Sequence, residues 1–337
     1  MIRGVGECYT RSMHTTAVGV FRGGTSNEYD ISLKTGAAVM QALPEDRYRV
    51  CDILVDKQGA WHVRGLPTNP MRALSQIDVV FNAVHGGVGE DGTLARIWEQ
   101  AHMPYTGSRP AASLLSLNKI RANAVLKNAG IPVARAAGCM VHPGEHIDVY
   151  RAAREIFSQF GPPYVVKPHT DGASHGILVA PTFSELPDAL AQIIAQYGAV
   201  LVEEMLYGEE VVVGVIEGFR DMSLYALPAA HVIKPAGKRI VEPAFYRNGS
   251  LRFDVPAQTF QYDARKQIQD LSRQAHETLG LSHHSTVEFI VTKHGPYLIE
   301  VNSIPMLHEY APLPAMLESV GSSTRELAEH VLALART

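Results

Sequence analysis

Cysteine is scarce in this chain, with three in 337 residues, at Cys8, Cys51 and Cys139. An odd number without metal-ligand spacing gives neither a disulfide framework nor a zinc site, so all three read as reduced thiols. Long apolar runs are also missing. No stretch approaches the roughly 18 to 20 residues that span a bilayer. The N-terminal MIRGVGECYTRSMHTTAVGVF carries charges where a signal peptide needs an unbroken apolar core. A soluble, cytoplasmic protein without a membrane partner is the expectation. Nor is there an excess of charge of one sign: 30 Lys and Arg face 34 Asp and Glu, for a formal net charge of -4. That balance offers no broad basic surface to duplex phosphates, so nucleic acid is not an expected partner.

What remains is an ordinary globular composition. Hydrophobic residues make up 46% of the chain, and its 28 Gly and 20 Pro are dispersed, which excludes disordered and fibrous classes. The length accommodates about two or three domains with cores of their own. TAVGVF, residues 16–21, reads as a buried strand, followed by the Gly-rich turn Arg22-Gly23-Gly24-Thr25-Ser26 and a helix ending near Leu43. Further strands over 50–55 and 77–83 continue an alternation that favours a parallel sheet covered on both faces. A helical region containing Lys119 and a strand over 164–167 come next. From Leu201 short β-rich runs dominate, then a helix over about 264–279, a hairpin over 285–302 and a terminal helix from Ser322.

The hairpin STVEFIVT-KHG-PYLIEVN carries the strongest chemical pattern. With Lys293, His294 and Gly295 as its turn, Glu288 and Glu300 lie opposite each other, and Asn302 shares the face of Glu300. Like charges so placed call for a cation or for a raised pKa in one of them. An all-oxygen set suits Mg2+, with Mn2+ as a substitute; a solvent-facing pair of glutamates is the alternative. The strand YVVKP before HTDGASHG looks like a Gly-containing loop between strands, able to cover phosphates while Lys167 adds a point charge. A solvated hairpin end has the same pattern. HGGVGEDG, residues 85–92, stands where an open α/β sheet binds ligands, with a helix N-terminus behind it. There Glu90 and Asp91 read as caps and His85 as a candidate functional residue. The strand end LVEEMLYGEE can offer acceptors to an adenine and a ribose, or be an exposed boundary.

Taken in order, GGTSNEYDISL, HGGVGEDGTL, PYTGS with Asn118-Lys119, VVKP with its loop, VEEMLYGEE and EVNSIP resemble the D-alanine–D-alanine ligases of the ATP-grasp superfamily over nearly the whole chain. The resemblance implies an α/β, three-domain ATP-grasp fold. Its parts would be a parallel-sheet substrate domain over 1–105, a central subdomain over 106–200 and a C-terminal subdomain over 201–337, with ATP between the last two. It implies a reaction in which one D-alanine carboxylate is phosphorylated and then attacked by the amine of a second, for peptidoglycan precursors. Carried over by position, Lys119 and Lys167 would contact phosphates, Glu203, Glu204 and Leu206 would surround the adenine, and Glu210 would hold the ribose. Glu288, Glu300 and Asn302 would bind Mg2+. Glu28 would orient the substrate ammonium, with Tyr246 and Ser174 completing a catalytic set, and His85, Asn302 and Ser303 would line the substrate. A homodimer through the N-terminal domain is also implied.

Several positions depart from the family pattern. Ala173 stands where a Ser joins the Glu and Tyr in a triad, with Ser174 next to it; Phe245 replaces a lysine before the lid tyrosine; Thr286 replaces an arginine that stabilises the tetrahedral intermediate; and Met306 replaces a small residue, with LHEYAP in the acceptor region. Arg239, Arg247 and Arg252 are candidates to supply the missing cation. The alternatives to D-alanyl-D-alanine synthesis are a ligase with another amino acid or hydroxy acid as acceptor, and a nucleotide-binding protein without ligase chemistry.

Overall fold

In the computed structural model, residues 15–140 and 147–337 are described. Cys8 and the rest of the N-terminal stretch lie outside the described residues, as does the side chain of Arg247. The first part of the chain builds a five-stranded sheet from β1 (Thr16–Gly23), β2 (Tyr48–Val55), β3 (Trp61–Val63), β4 (Leu66–Thr68) and β5 (Val79–Asn82), in the order β4-β3-β2-β1-β5. β1 runs parallel to β2 and β5 as expected, whereas β3 and β4 add an antiparallel hairpin to one edge. Strands of three residues are too short for their alternation to be read from sequence. Period two in β1 sends Val18 and Val20 toward α1 (Tyr29–Ala42) and Phe21 toward α2 (Pro70–Leu74) and α3 (Thr93–Gln100), so both faces are covered. The buried Ser32 hydroxyl of α1 accepts from Gly23 N–H at 2.8 Å and donates to Ala83 C=O at 2.7 Å, satisfying the seam at the ends of β1 and β5.

After α4 (Pro110–Leu117) and α5 (Lys119–Asn128) comes a four-stranded antiparallel sheet of β6 (Ala136–Met140), β7 (Tyr164–Pro168), β8 (Leu178–Ala180) and β9 (Ala199–Glu204), in the order β6-β9-β7-β8. Helices α6 (Val149–Gln159) and α7 (Leu186–Tyr197) cover one of its faces through Ala153, Ile156, Leu190 and Ile193. A six-stranded antiparallel sheet follows. Its strands are β10 (Glu209–Glu217), β11 (Leu224–Ala226), β12 (Ala230–Ile233), β13 (Arg252–Asp254), β14 (His284–Thr292) and β15 (Gly295–Asn302), in the order β13-β12-β10-β14-β15 with β11 on β10. Its helices are α8 (Pro243–Asn248), α9 (Tyr262–Thr278), α10 (Pro312–Ser319) and α11 (Thr324–Ala335).

Alternation in β10 divides the chain's packing. Val211, Val213 and Val215 join α5 and α9 in one core, while Val212 and Ile216 join α10 and α11 in another that also takes in Val18, Val79 and Phe81 of the first sheet. The last two helices are therefore a wedge shared by the first and third sheets. The sequence reading places no element between the hairpin and the terminal helix, where α10 lies; Pro312 sits in its first turn, where the missing N–H costs nothing.

The hairpin carries a second correction. Thr292 pairs with Gly295, so the turn is Lys293-His294 alone, and a regular ladder from there would set Glu288 against Ile299. A register shift between Glu288 and Phe289 restores the Glu288–Glu300 pairing, with Ile299 as the extra residue. The pairing expected from the sequence holds, for a reason that the sequence does not display.

His284 gives the fold a pH signature. It is 1% exposed, its Nδ1 has no hydrogen-bond partner, and burial, with His283 and His276 nearby, pushes its pKa down to about 3. The unfolded chain, with His near 6.5, takes up a proton that the native state refuses between pH 6.5 and 3, so this group removes stability as pH falls. His284→Leu is expected to lose less stability than the parent from pH 6.5 to 5, by up to about 2 kcal/mol. Urea unfolding at the two pH values measures the difference, and equal losses in both proteins contradict it.

Candidate active site

Strand periodicity builds the first wall of the site. In β7, Tyr164 and Val166 enter the core beneath α6 and α7, so Val165 and Lys167 face the other way, into a cleft of about 120 Å³. Glu203, Glu204 and Leu206 from the end of β9 line it too, with Glu210 of β10, Ser174 of the β7–β8 loop, and Glu288 and Glu300 of the hairpin. Apart from Glu288, its carboxylates are matched one by one. Lys167 Nζ meets Glu203 at 2.8 Å with both side chains 7% exposed, Arg135 meets Glu204 at 2.6 Å, and Lys234 meets Glu210 at 2.9 Å. Lys119 opens α5 behind the Asn118 cap and holds Glu300 Oε1 at 2.5 Å. It lines a smaller neighbouring cavity with Glu203 and Glu300. Burial works against its ammonium, but Glu300, with Glu28 and Glu288 beyond, raises its pKa above the ordinary value.

Across the hairpin Glu288 faces Glu300, and the Asn302 amide donates to Glu288 Oε1 at 3.0 Å. Burial first, then the charge of Glu300, pushes the Glu288 pKa up to about 8. Among the described residues no cluster of three or more His, Cys, Asp or Glu is arranged to hold a metal ion. Glu288, Glu300 and Asn302 are two carboxylates and an amide. These hard oxygens, one of them on a carboxyl destabilised by the lack of a countercharge, fit a small divalent cation that also binds phosphate oxygens.

A second, small cavity of about 20 Å³ adjoins the hairpin and is lined by Glu28, His85, Glu90, Tyr246, Thr286, Glu288, Asn302 and Met306, among others. Glu28 is 5% exposed, and its pKa lies well above the usual range because of burial and then the charges of Glu90, Asp171 and Glu300. Two glycines make room for its carboxylate: a Cβ on Gly172 would come within 2.6 Å of it, and one on Gly86, whose φ is +60°, within 2.8 Å. Gly172 belongs to the loop between β7 and β8, in which Ala173 and Ser174 have φ of 47° and 60°, so the chain turns sharply over the cleft. His85 Nε2 lies 2.9 Å from Thr35 Oγ1, and burial takes its pKa down to about 3, so its ring is neutral.

The expected catalytic set is only partly brought together. Glu28 and Tyr246 share the second cavity, whereas Ser174 lines the first, and among the described residues no hydrogen bond joins the three. Tyr246 is buried, and desolvation followed by four surrounding glutamates holds its hydroxyl proton firmly. Ser303 does not line the cavity; it donates to Glu90 Oε1 at 2.9 Å and meets Ser113 Oγ at 3.2 Å. Of the candidate cations, Arg239 lines the first cleft and Arg252 is exposed on β13.

The residue that sequence reasoning missed is Glu90. Asp91 makes the turn contact at the start of α3, its Oδ1 accepting from Thr93 N–H at 2.7 Å. Glu90 instead turns inward and accepts from Gly86 N–H at 2.7 Å, from Ser303 Oγ at 2.9 Å and from Ile304 N–H at 3.2 Å. It thereby ties the HGGVGEDG loop to the segment after β15, a contact across more than 200 residues that no local signal could announce.

The geometry has close counterparts. The family model "D-ala D-ala ligase C-terminus" matches residues 125–333, and "D-ala D-ala ligase N-terminus" matches 17–69 and 64–108. The chain belongs to the D-alanine–D-alanine ligase family. Within it, the D-alanine–D-alanine ligase of Geobacter sulfurreducens is 33% identical over 95% of this chain and 94% of its own length. That of Actinobacillus pleuropneumoniae is 31% identical over 96% and 99%. Among solved structures, the VanG D-Ala:D-Ser ligase of Enterococcus faecalis has the same ATP-grasp fold, with a TM-score of 0.80, 24% identity and coverage of 95% of this chain and 99% of its own. The D-alanine–D-alanine ligase of Coxiella burnetii aligns with a TM-score of 0.78 at 22% identity, over 95% and 94%.

Glu90 provides a test of the site as built. Glu90→Ala strands three buried donors and is expected to cost about 2 to 4 kcal/mol. Urea unfolding reads this directly, and a loss below about 0.5 kcal/mol, the scale of an ordinary surface change, contradicts the assigned contacts.

Proposed function

We propose that this chain is an ATP-dependent carboxylate–amine ligase that joins two D-alanines to D-alanyl-D-alanine through an acyl phosphate. The observation that carries the reading is Glu288, which lines both cavities: the cleft along β7 and the end of β9, and the smaller chamber of carboxyl groups beside Glu28. Phosphate and substrate carboxylate meet at the wall the two share.

In this reading the three ATP-grasp lobes keep the division 1–105, 106–200 and 201–337. Lys119 and Lys167 neutralise phosphate charge, Glu203, Glu204 and Leu206 take the adenine edge, and Glu210 holds the ribose. Glu288, Glu300 and Asn302 hold Mg2+, which when bound offsets charge on the phosphates and polarises the transferred group. Glu28 receives the ammonium of the first D-alanine. Burial among other carboxylates raises its pKa; an arriving ammonium supplies the countercharge that lets it ionise, which makes recognition specific for a cation at that point.

The substrate carboxylate attacks the γ-phosphorus, giving acyl phosphate and ADP. The neutral amine of the second D-alanine then adds to the carbonyl, and inorganic phosphate leaves as the peptide bond forms. Exclusion of water by the buried chamber protects the acyl phosphate from hydrolysis, and neutral His85 and Asn302 border the substrate. Tyr246 and Ser174 are assigned to the loop contacts that close the site. The dipeptide serves peptidoglycan precursor synthesis in the cytoplasm, where ATP is supplied, and the resemblance carries with it a homodimer through the N-terminal domain.

A second reading keeps this chemistry and changes the acceptor. It is favoured by the chamber itself: among the described residues no Lys or Arg lines it, and Thr286, Met306 and Pro312 form its border. Phosphate release from ATP with Mg2+, screened against D-alanine, L-alanine, D-serine and D-lactate with mass spectrometry of the products, decides. D-alanyl-D-alanine is the expected main product; a mixed dipeptide or a depsipeptide selects the second reading, and no turnover with any of them rejects both. Glu300→Ala is expected to lower turnover by at least about 100-fold, and an unchanged rate refutes the metal assignment.

A further inference from the structure

The loop between β7 and β8 is tied to the first lobe beside Glu28. Asn27 Nδ2 donates to Asp171 Oδ2 at 2.6 Å, across 144 residues of chain. Their neighbours in sequence are stacked on each other: Glu28 follows Asn27, Gly172 follows Asp171, and a Cβ on Gly172 would come within 2.6 Å of the Glu28 carboxylate. Each end of the pair is anchored in its own segment. On the first lobe the Ser26 hydroxyl donates to His85 C=O at 2.6 Å and accepts from Glu28 N–H at 3.1 Å. On the loop Asp171 Oδ1 accepts from Gly172 N–H at 3.0 Å, and His175 N–H closes a turn onto Gly172 C=O at 3.0 Å. Ala173, in that turn, has no polar side-chain atom and packs against the apolar cluster that contains Phe245 and Tyr246. Gly172 and Glu28 are buried, whereas Asn27 is exposed, so the pair lies on the solvent side of the contact between them.

We propose that Asn27 and Asp171 are positioning residues of this chain, whose hydrogen bond holds the β7–β8 loop down on Glu28 so that the acyl phosphate reacts with the second substrate and not with water. The apolar contact of Ala173 is non-directional and does not fix where the loop stops, whereas a hydrogen bond between two side chains fixes distance and direction together. An acyl phosphate attacked by water returns the free carboxylate and inorganic phosphate, so that ATP and water are consumed and ADP and phosphate released. One attacked by the amine gives the amide and the same phosphate. Release of the loop therefore shows as ADP formed without product. The inference rests on the ligase reading, in which Glu28 holds the ammonium of the substrate that becomes the acyl phosphate.

The ratio of ADP to ligated product, with D-alanine and with the other acceptors of the screen above, tests it in the parent chain, Asn27→Ala, Asp171→Ala, the double variant and Asp171→Asn. The parent is expected to form ADP and product in equal amounts. Each alanine variant should raise the ADP released without product about fivefold, the weight of one hydrogen bond, and the double variant should do so no more than either alone. Asp171→Asn keeps an acceptor oxygen for Asn27 while removing the charge that Asp171 places near Glu28, and should stay near the parent. Full coupling in both alanine variants overturns the assignment, and so do additive effects in the double variant. Uncoupling in Asp171→Asn equal to that in Asp171→Ala overturns it in favour of a role for the charge. A parent chain that forms no product with any acceptor overturns the ligase reading and this assignment with it, whereas a coupled parent with coupled variants overturns this assignment alone.

Discussion

Two carboxylates facing each other across a hairpin set the terms for the rest of this molecule. Glu288 and Glu300 repel, and a protein that buries such a pair must surround it with countercharge or leave one of the two protonated. Both solutions are present. Lys119, placed at the first turn of α5, holds Glu300, and Glu288 keeps its proton to about pH 8. Neither would be stable on an isolated hairpin; they require α5 on the same core as β10 and β14, which Ala122 and Leu126 provide.

From that pair the two cavities diverge. On one side the outward residues of β7 and the end of β9 form a cleft whose carboxylates, Glu288 apart, are each held by a basic partner. On the other, Glu28, Glu90 and Glu288 line a small chamber with no Lys or Arg among its described lining residues. Charge must arrive with the ligands. The wedge of α10 and α11, packed on both the first and third sheets, and the Glu90 contact to Ser303 and Ile304 hold the chamber's walls in register.

Much of this was legible in the sequence, and the limits follow physical lines. The strand runs of β1 and β7, the Gly-rich loops and the facing of Glu288 with Glu300 could be read because they depend on local periodicity and on residue types with few alternatives. The β3–β4 hairpin was too short to register, and α10 is a helix of eight residues that opens on a proline, with no strong periodicity to announce it. The bulge at Ile299 left no mark in the sequence, yet without it the hairpin's true turn would have misaligned the carboxylates. Glu90 was read as a local cap because its partners lie more than 200 residues away. The separation of Ser174 from Glu28 and Tyr246 depends on how two lobes meet, which no single segment encodes.

In the proposed reading the facing carboxylates hold a divalent cation together with the nucleotide. Electron paramagnetic resonance of Mn2+, titrated into the chain with a non-hydrolysable ATP analogue, tests it most directly. The parent chain should bind Mn2+ in the presence of the analogue, and Glu288→Gln, which keeps the shape but cannot ionise, should lose that binding by about tenfold or more. Equal Mn2+ binding by the two proteins would contradict the claim and leave the carboxylate pair without the role on which the rest of the site depends.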